Sequence, residues 1–87
     1  MEELYPKPKE NLFVINAEEN YIVFDPDEGD KWEINETGAF ILRNLIEGAS
    51  LEEIRERITE KYDLDPGKAE EALHKYIADL REEGILM

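Results

Sequence analysis

The chain has 87 residues, room for one domain whose thin core buries roughly 60–65% of the unfolded surface. Hydrophobic residues make up 41% and charged residues 38%, and 10 Lys and Arg against 23 Asp and Glu leave a formal charge of −13. This charge opposes binding to nucleic acid and to anionic membranes, which both need cations to neutralise phosphates. The absence of Cys excludes disulfides and thiolate metal sites.

Residues 1–11 carry Pro6 and Pro8 among charges and read as an extended arm ahead of a domain spanning residues 12–87. No apolar signal core opens the chain and no apolar run approaches ~18 residues, so a cytoplasmic location is expected. Leu12 to Ala17 is apolar and β-branched, a first strand. Glu18-Glu19-Asn20 is a short turn in which Asn20 can take a positive φ. Tyr21 to Asp25 is the second strand, and Pro26-Asp27-Glu28-Gly29-Asp30 supplies a hairpin loop with Pro early and Gly late. Lys31 to Ile34 is a third strand at the edge of the meander, with Trp32 and Ile34 on one face.

The periodicity then changes to helical. Asn35 is an N-cap, and Ala39, Ile41, Leu42, Leu45 and Ile46 form an apolar stripe that stops at Gly48. Ser50-Leu51-Glu52-Glu53 is a capping box, followed by Leu51, Ile54, Ile58 and Tyr62 at helical spacing. Asp65-Pro66 opens a third helix with a cap and an N1 proline. Its expected core stripe is Ala69, Leu73, Tyr76 and Leu80, and Gly84 ends it. Ile85-Leu86-Met87 is an apolar tail expected to pack back on the core. The fold class is therefore α+β: an N-terminal three-stranded antiparallel sheet followed by three helices, similar to a winged helix-turn-helix.

The order and spacing of these pieces resemble the PqqD-like family, also called RiPP recognition elements. The resemblance is carried by the Asp25…Gly29 loop, Trp32-Glu33-Ile34-Asn35, Thr37-Gly38-Ala39 with Ile41, Ser50…Glu53-Ile54, and Leu80…Gly84-Ile85-Leu86. Trp32 stands where the family more often carries Tyr or Leu. The resemblance implies a non-catalytic domain, without cofactor, that binds the leader segment of a ribosomally made precursor peptide. The leader adds as a strand to the edge of strand 3, packs against helix 3, and is delivered to a peptide-modifying enzyme. One domain fills the chain, so it resembles the stand-alone members of the family.

The residues suit such a clamp. An edge strand presents unpaired N–H and C=O groups to any extended peptide, and specificity comes from pockets for alternate side chains. The candidate binding residues are Lys31, Trp32, Glu33 and Ile34 on strand 3, and Leu73, His74, Ile77 and Arg81 on helix 3. Ile77 is the apolar member of a stripe bordering the core, with Leu73 beneath it; it either contacts a leader hydrophobe or widens the core. Trp32 is either a core anchor or a pocket wall. His74, the only His in a chain without Cys, lacks the partners a metal site needs and reads as a helical border residue. Glu52, Glu53, Glu56 and Glu60 read as a solvated face rather than paired catalytic carboxylates.

Two other classes remain: a winged-helix DNA-binding protein and a small structural subunit of an enzyme complex. Against the first, helix 3 sets Glu70, Glu71, Asp79, Glu82 and Glu83 against Lys68, Lys75 and Arg81, where a recognition helix needs cations. Given the acidic chain, either the leader carries basic residues, or apolar contacts and strand pairing dominate its binding.

Overall fold

Short apolar strands joined by tight turns start the fold. In the computed structural model, which describes residues 7–86, strands β1 (Phe13–Asn16), β2 (Tyr21–Asp25) and β3 (Asp30–Ile34) form one antiparallel sheet in the order β1-β2-β3. Helices α1 (Glu36–Ile46), α2 (Leu51–Tyr62) and α3 (Pro66–Glu82) follow. This is the α+β order expected from the sequence.

The β2–β3 loop is organised by Asp25, which is only 2% exposed. One carboxylate oxygen accepts the N–H groups of Asp27 at 3.0 Å and Glu28 at 3.4 Å. The other lies 3.5 Å from Lys9 Nζ. The Asp25 carbonyl accepts from the Gly29 N–H at 2.7 Å, with Gly29 at a φ of +78° that glycine adopts freely. A buried carboxylate is tolerated when its lone pairs are used in this way. The β1–β2 turn differs from expectation. Among the described residues, Asn11 and Asp63 are the non-glycines at positive φ, so Asn20 is not left-handed. Its side chain instead donates to Glu33 Oε2 at 3.0 Å, and the turn is closed by the Ala17 N–H to the Asn20 carbonyl.

All three helix starts are capped as the sequence indicates. Asn35 accepts from the Gly38 N–H, Ser50 and Glu53 form a reciprocal capping box, and Asp65 accepts from Gly67 and Lys68. The caps set where each helix begins and so which residues face inward. Val23 from β2 packs against Ile41, Leu42 and Leu45 of α1, Ile54 and Ile58 of α2, and Ala69, Leu73, Ile77 and Leu80 of α3. Buried Asn44 ties α1 to α2 by accepting from Arg57 and donating to the Phe40 carbonyl. The tail does return to the core, with Ile85 and Leu86 both buried. There the Lys9 N–H donates to the Ile85 carbonyl at 3.0 Å, and Pro8 bridges Leu86. Residues 1–6 of the expected arm, and Met87 of the tail, lie outside the described residues.

The phase of α3 takes one of the two roles the sequence left open for Ile77, widening the core. Ile77 is 5% exposed and belongs to the core, whereas Tyr76 is half-buried beside it. Both sets of residues fit a helical stripe, because 76 and 77 are neighbours about 100° apart on the helix. Polarity decides between them: the tyrosine hydroxyl needs a partner and finds one outside the core, while isoleucine needs none. Ile77→Asp is accordingly expected to abolish cooperative unfolding in a urea titration followed by circular dichroism. Ile77→Val is expected to fold with a loss of about 0.5–1.5 kcal/mol.

Candidate functional site

Among the described residues, edge strand β3 pairs with β2 on one side only, so alternate N–H and C=O groups along its other side have no strand partner there. Register places Trp32 opposite Val23 and Ile34 opposite Tyr21, so these two side chains lean toward the helices, and Lys31 and Glu33 point to the opposite face. Helix α3 passes beside this edge. Between them runs a groove of about 530 Å³. Lys31, Trp32, Glu33 and Ile34 line it from β3, and Asn35 and Gly38 from the start of α1. Lys75, Tyr76, Asp79, Leu80, Glu82 and Glu83 line it from α3.

The base of the groove is a three-residue junction. Asn35 accepts from the Gly38 N–H at 2.8 Å through Oδ1 and donates to the Tyr76 hydroxyl at 2.9 Å through Nδ2. One amide thus caps α1 and holds the Tyr76 ring at the groove. Gly38 lets the ring lie close: a Cβ there would stand 3.3 Å from Asn35 Oδ1 and 3.5 Å from two Tyr76 ring carbons. Trp32 is half-buried, packs against the core cluster and also lines the groove, so the two sequence readings of it both hold. Lys9 Nζ sits 5.9 Å from the centre of its ring.

Electrostatically the groove is graded. Its apolar base is formed by Trp32, Ile34, Tyr76 and Leu80, while Asp79, Glu82 and Glu83 gather toward the C-terminal end of α3. That end also carries the negative pole of the helix dipole. Lys75 is partly engaged, 3.7 Å from Asp79 and 5.2 Å from the centre of the Tyr76 ring. The acidic end therefore favours a cation and disfavours an anion.

Of the residues singled out from sequence, the structure brings together Lys31, Trp32, Glu33 and Ile34 in the groove. Leu73 and Ile77 are core residues. His74 is exposed, with its imidazole 3.7 Å from Glu70. Neither His74 nor Arg81 is part of the groove lining. Leu80 is buried in the core as read, and Tyr76 is half-buried against it; both also line the groove, together with Asn35 and Gly38. The signal for Tyr76 was its hydroxyl, and for Gly38 a glycine inside a helix beside a cap. Among the described residues no group of His, Cys, Asp and Glu is placed to hold a metal ion, and no helix is long and apolar enough to cross a membrane.

The family model of coenzyme PQQ synthesis protein D (PqqD) matches residues 20–86. Two solved structures are similar in fold. One is a lasso peptide synthetase B1 complexed with the leader peptide, 22% identical over 95% of this chain and 98% of that one, with a TM-score of 0.78. The other is TbiB1 in complex with the TbiA(beta) leader peptide, 21% identical over 92% of this chain and 93% of that one, with a TM-score of 0.77. Among curated proteins, none matches the chain.

The junction makes a stability prediction. Asn35→Ala removes the α1 cap together with an exposed hydrogen bond to the Tyr76 hydroxyl, and is expected to cost about 0.5–2 kcal/mol. In a domain of this size that lowers the melting temperature by roughly 4–8 °C per kcal/mol. Asn35→Asp, which keeps the cap acceptor, is expected to recover most of the loss in the same melt.

Proposed function

Because the chain belongs to the PqqD family, we propose that it is a clamp for the leader segment of a ribosomally made precursor peptide, which it presents to a peptide-modifying enzyme. The observation that carries this reading is the open edge of β3 running beside a groove with an apolar base. It occurs in a fold shared with two proteins solved with leader peptides bound. A leader extended along β3 pairs its backbone with the unpaired edge groups, which supplies affinity with little regard for sequence. Alternate leader side chains then point into the groove. An apolar or aromatic one meets Trp32, Ile34, Tyr76 and Leu80, and a basic one is favoured beside Asp79, Glu82 and Glu83. This picture resolves the tension between a −13 chain and peptide binding by asking for a leader that is locally apolar and basic.

The groove offers carboxylates, amines and aromatic surface, with no nucleophile held by a base, so the reading assigns binding and presentation to this chain and bond-making to the enzyme. A ribosomal product is captured where it is made, which places the clamp in the cytoplasm. Duplex DNA is disfavoured, since α3 presents Asp79, Glu82 and Glu83 where a recognition helix presents cations.

Isothermal titration with the leader of the precursor encoded beside this gene is expected to saturate at one peptide per chain. Tyr76→Ala is expected to weaken it roughly 10- to 100-fold, the loss of 1–3 kcal/mol typical of a buried aromatic anchor. His74→Ala is expected to leave it unchanged. Loss of affinity in His74→Ala but not in Tyr76→Ala places the peptide on a different face of α3. Incubating the purified chain with full precursor is expected to leave the peptide mass unaltered, and a modified product from this chain alone refutes the non-catalytic assignment.

A further inference from the structure

The sheet has two apolar faces, and the helices cover one. Register puts Phe13, Phe24 and Lys31 in one cross-strand row and Ile15, Ile22 and Glu33 in the next. Alternation sends all six to the side opposite Val23, Trp32 and the helices. Phe13 is 56% and Ile15 51% exposed, Ile22 and Phe24 are half-buried, and none of the four belongs to the core or packs against it. Most domains of this size present polar residues on the solvent face of such a sheet. Here the outward positions of β1 and β2 are Phe, Ile, Ile and Phe.

Carboxylates flank the patch at both ends of the strands. Glu18 and Glu19 stand exposed in the turn at one end of the β1–β2 hairpin, and Asp27, Glu28 and Asp30 stand exposed at the other. Glu33 lies on the face itself, with Lys31 as its one cation. An apolar centre flanked by carboxylates is complementary to an apolar surface flanked by Lys and Arg. A second copy of the chain is a poor fit. The patch amounts to a few hundred Å², the scale of a large single surface patch, against roughly 800 Å² per partner in a stable dimer. Each copy would also bring a charge of −13. The face that carries the patch runs on across Lys31 and Glu33 to the edge of β3 that the leader reading employs. A peptide strand added there extends the sheet, and its alternate side chains extend this face.

We propose that the outer face of the sheet is the docking surface for the enzyme that processes the leader-bound peptide, and that this enzyme meets it with an apolar patch flanked by Lys and Arg. The proposal rests on the leader-clamp reading for the identity of the enzyme, and on the exposed face alone for the site. Leader in the groove and enzyme on the sheet face then occupy adjoining surfaces along β3, so the core peptide leaves the clamp beside the enzyme that acts on it.

The test uses the full chain and the processing enzyme encoded beside the precursor gene, with association measured by surface plasmon resonance. Phe13→Thr/Ile15→Thr keeps β-propensity while removing the apolar centre. It is expected to weaken enzyme binding at least tenfold and to leave the leader titration unchanged. Glu18→Lys/Glu19→Lys, which lies outside the strands and guards against a misfolded first variant, is expected to weaken enzyme binding several-fold. Added salt is expected to weaken the parent complex. Enzyme binding unaltered in both variants overturns the proposal while leaving the leader reading intact. A parent chain that sediments as a dimer, and that the Thr variant returns to monomer, overturns it in favour of a second copy. If the leader does not bind but the enzyme still requires Phe13 and Ile15, the docking face stands and the clamp reading falls.

Discussion

The amide of Asn35 is the point on which the arrangement turns. It sits where β3 gives way to α1, accepts from the backbone of Gly38 and donates to Tyr76 of α3. A single side chain therefore fixes the start of one helix, the spacing of the sheet edge from another, and the orientation of the ring at the base of the groove. A cap alone needs an acceptor, which Asp or Ser also provides. Donating to a tyrosine hydroxyl at the same time requires the second end of an amide. Gly38 completes the constraint, because a side chain there would press on the Asn35 amide that caps α1. Local helix chemistry and the shape of the groove are in this way the same interaction.

The remainder of the fold holds that junction in place with modest means. The sheet is short, and its covered face contributes Val23, Trp32 and Ile34, with Val14 packed alongside. Helices α1, α2 and α3 supply most of the apolar volume. The two ends of the described residues are pinned to each other by Pro8 and Lys9 against Ile85 and Leu86. Lys9 also reaches the buried Asp25 carboxylate and the Trp32 ring. Lys9 is thereby coupled to the β2–β3 loop and to the strand that lines the groove.

Electrostatics gives the molecule its selectivity as a whole. A surface of −13 repels phosphate polymers at long range and attracts basic surfaces. At short range the groove combines an apolar base with an acidic end, and the outer sheet face combines an apolar centre with acidic ends. The two surfaces share β3, whose residues alternate between them: Trp32 and Ile34 inward, Lys31 and Glu33 outward. In the proposed arrangement, the period of two in an edge strand lets one five-residue element offer its edge to a peptide and its face to a protein.

Much of this was written in local sequence. Turn residues, capping boxes, the N1 proline and the change from a period of two to one of 3.6 fix strands, helices and their order, because each is decided within a few residues. The third strand's place at the edge follows from two tight antiparallel connections, and with it half of the groove. The phase of α3 was not legible: residues 73, 76, 77 and 80 fit one broad stripe, and only packing against Asn35 and the core assigns Ile77 inward and Tyr76 to the groove. Nor was the fate of the first strand, where Leu12-Phe13-Val14-Ile15 is apolar at every position. With no alternation to read, which pair is covered depends on the side the helices take, and that is decided by connections and caps far along the chain. The sequence by itself determined the elements and the strand edge that offers itself to a peptide; tertiary packing alone decided which aromatic forms the groove and which apolar face was left open.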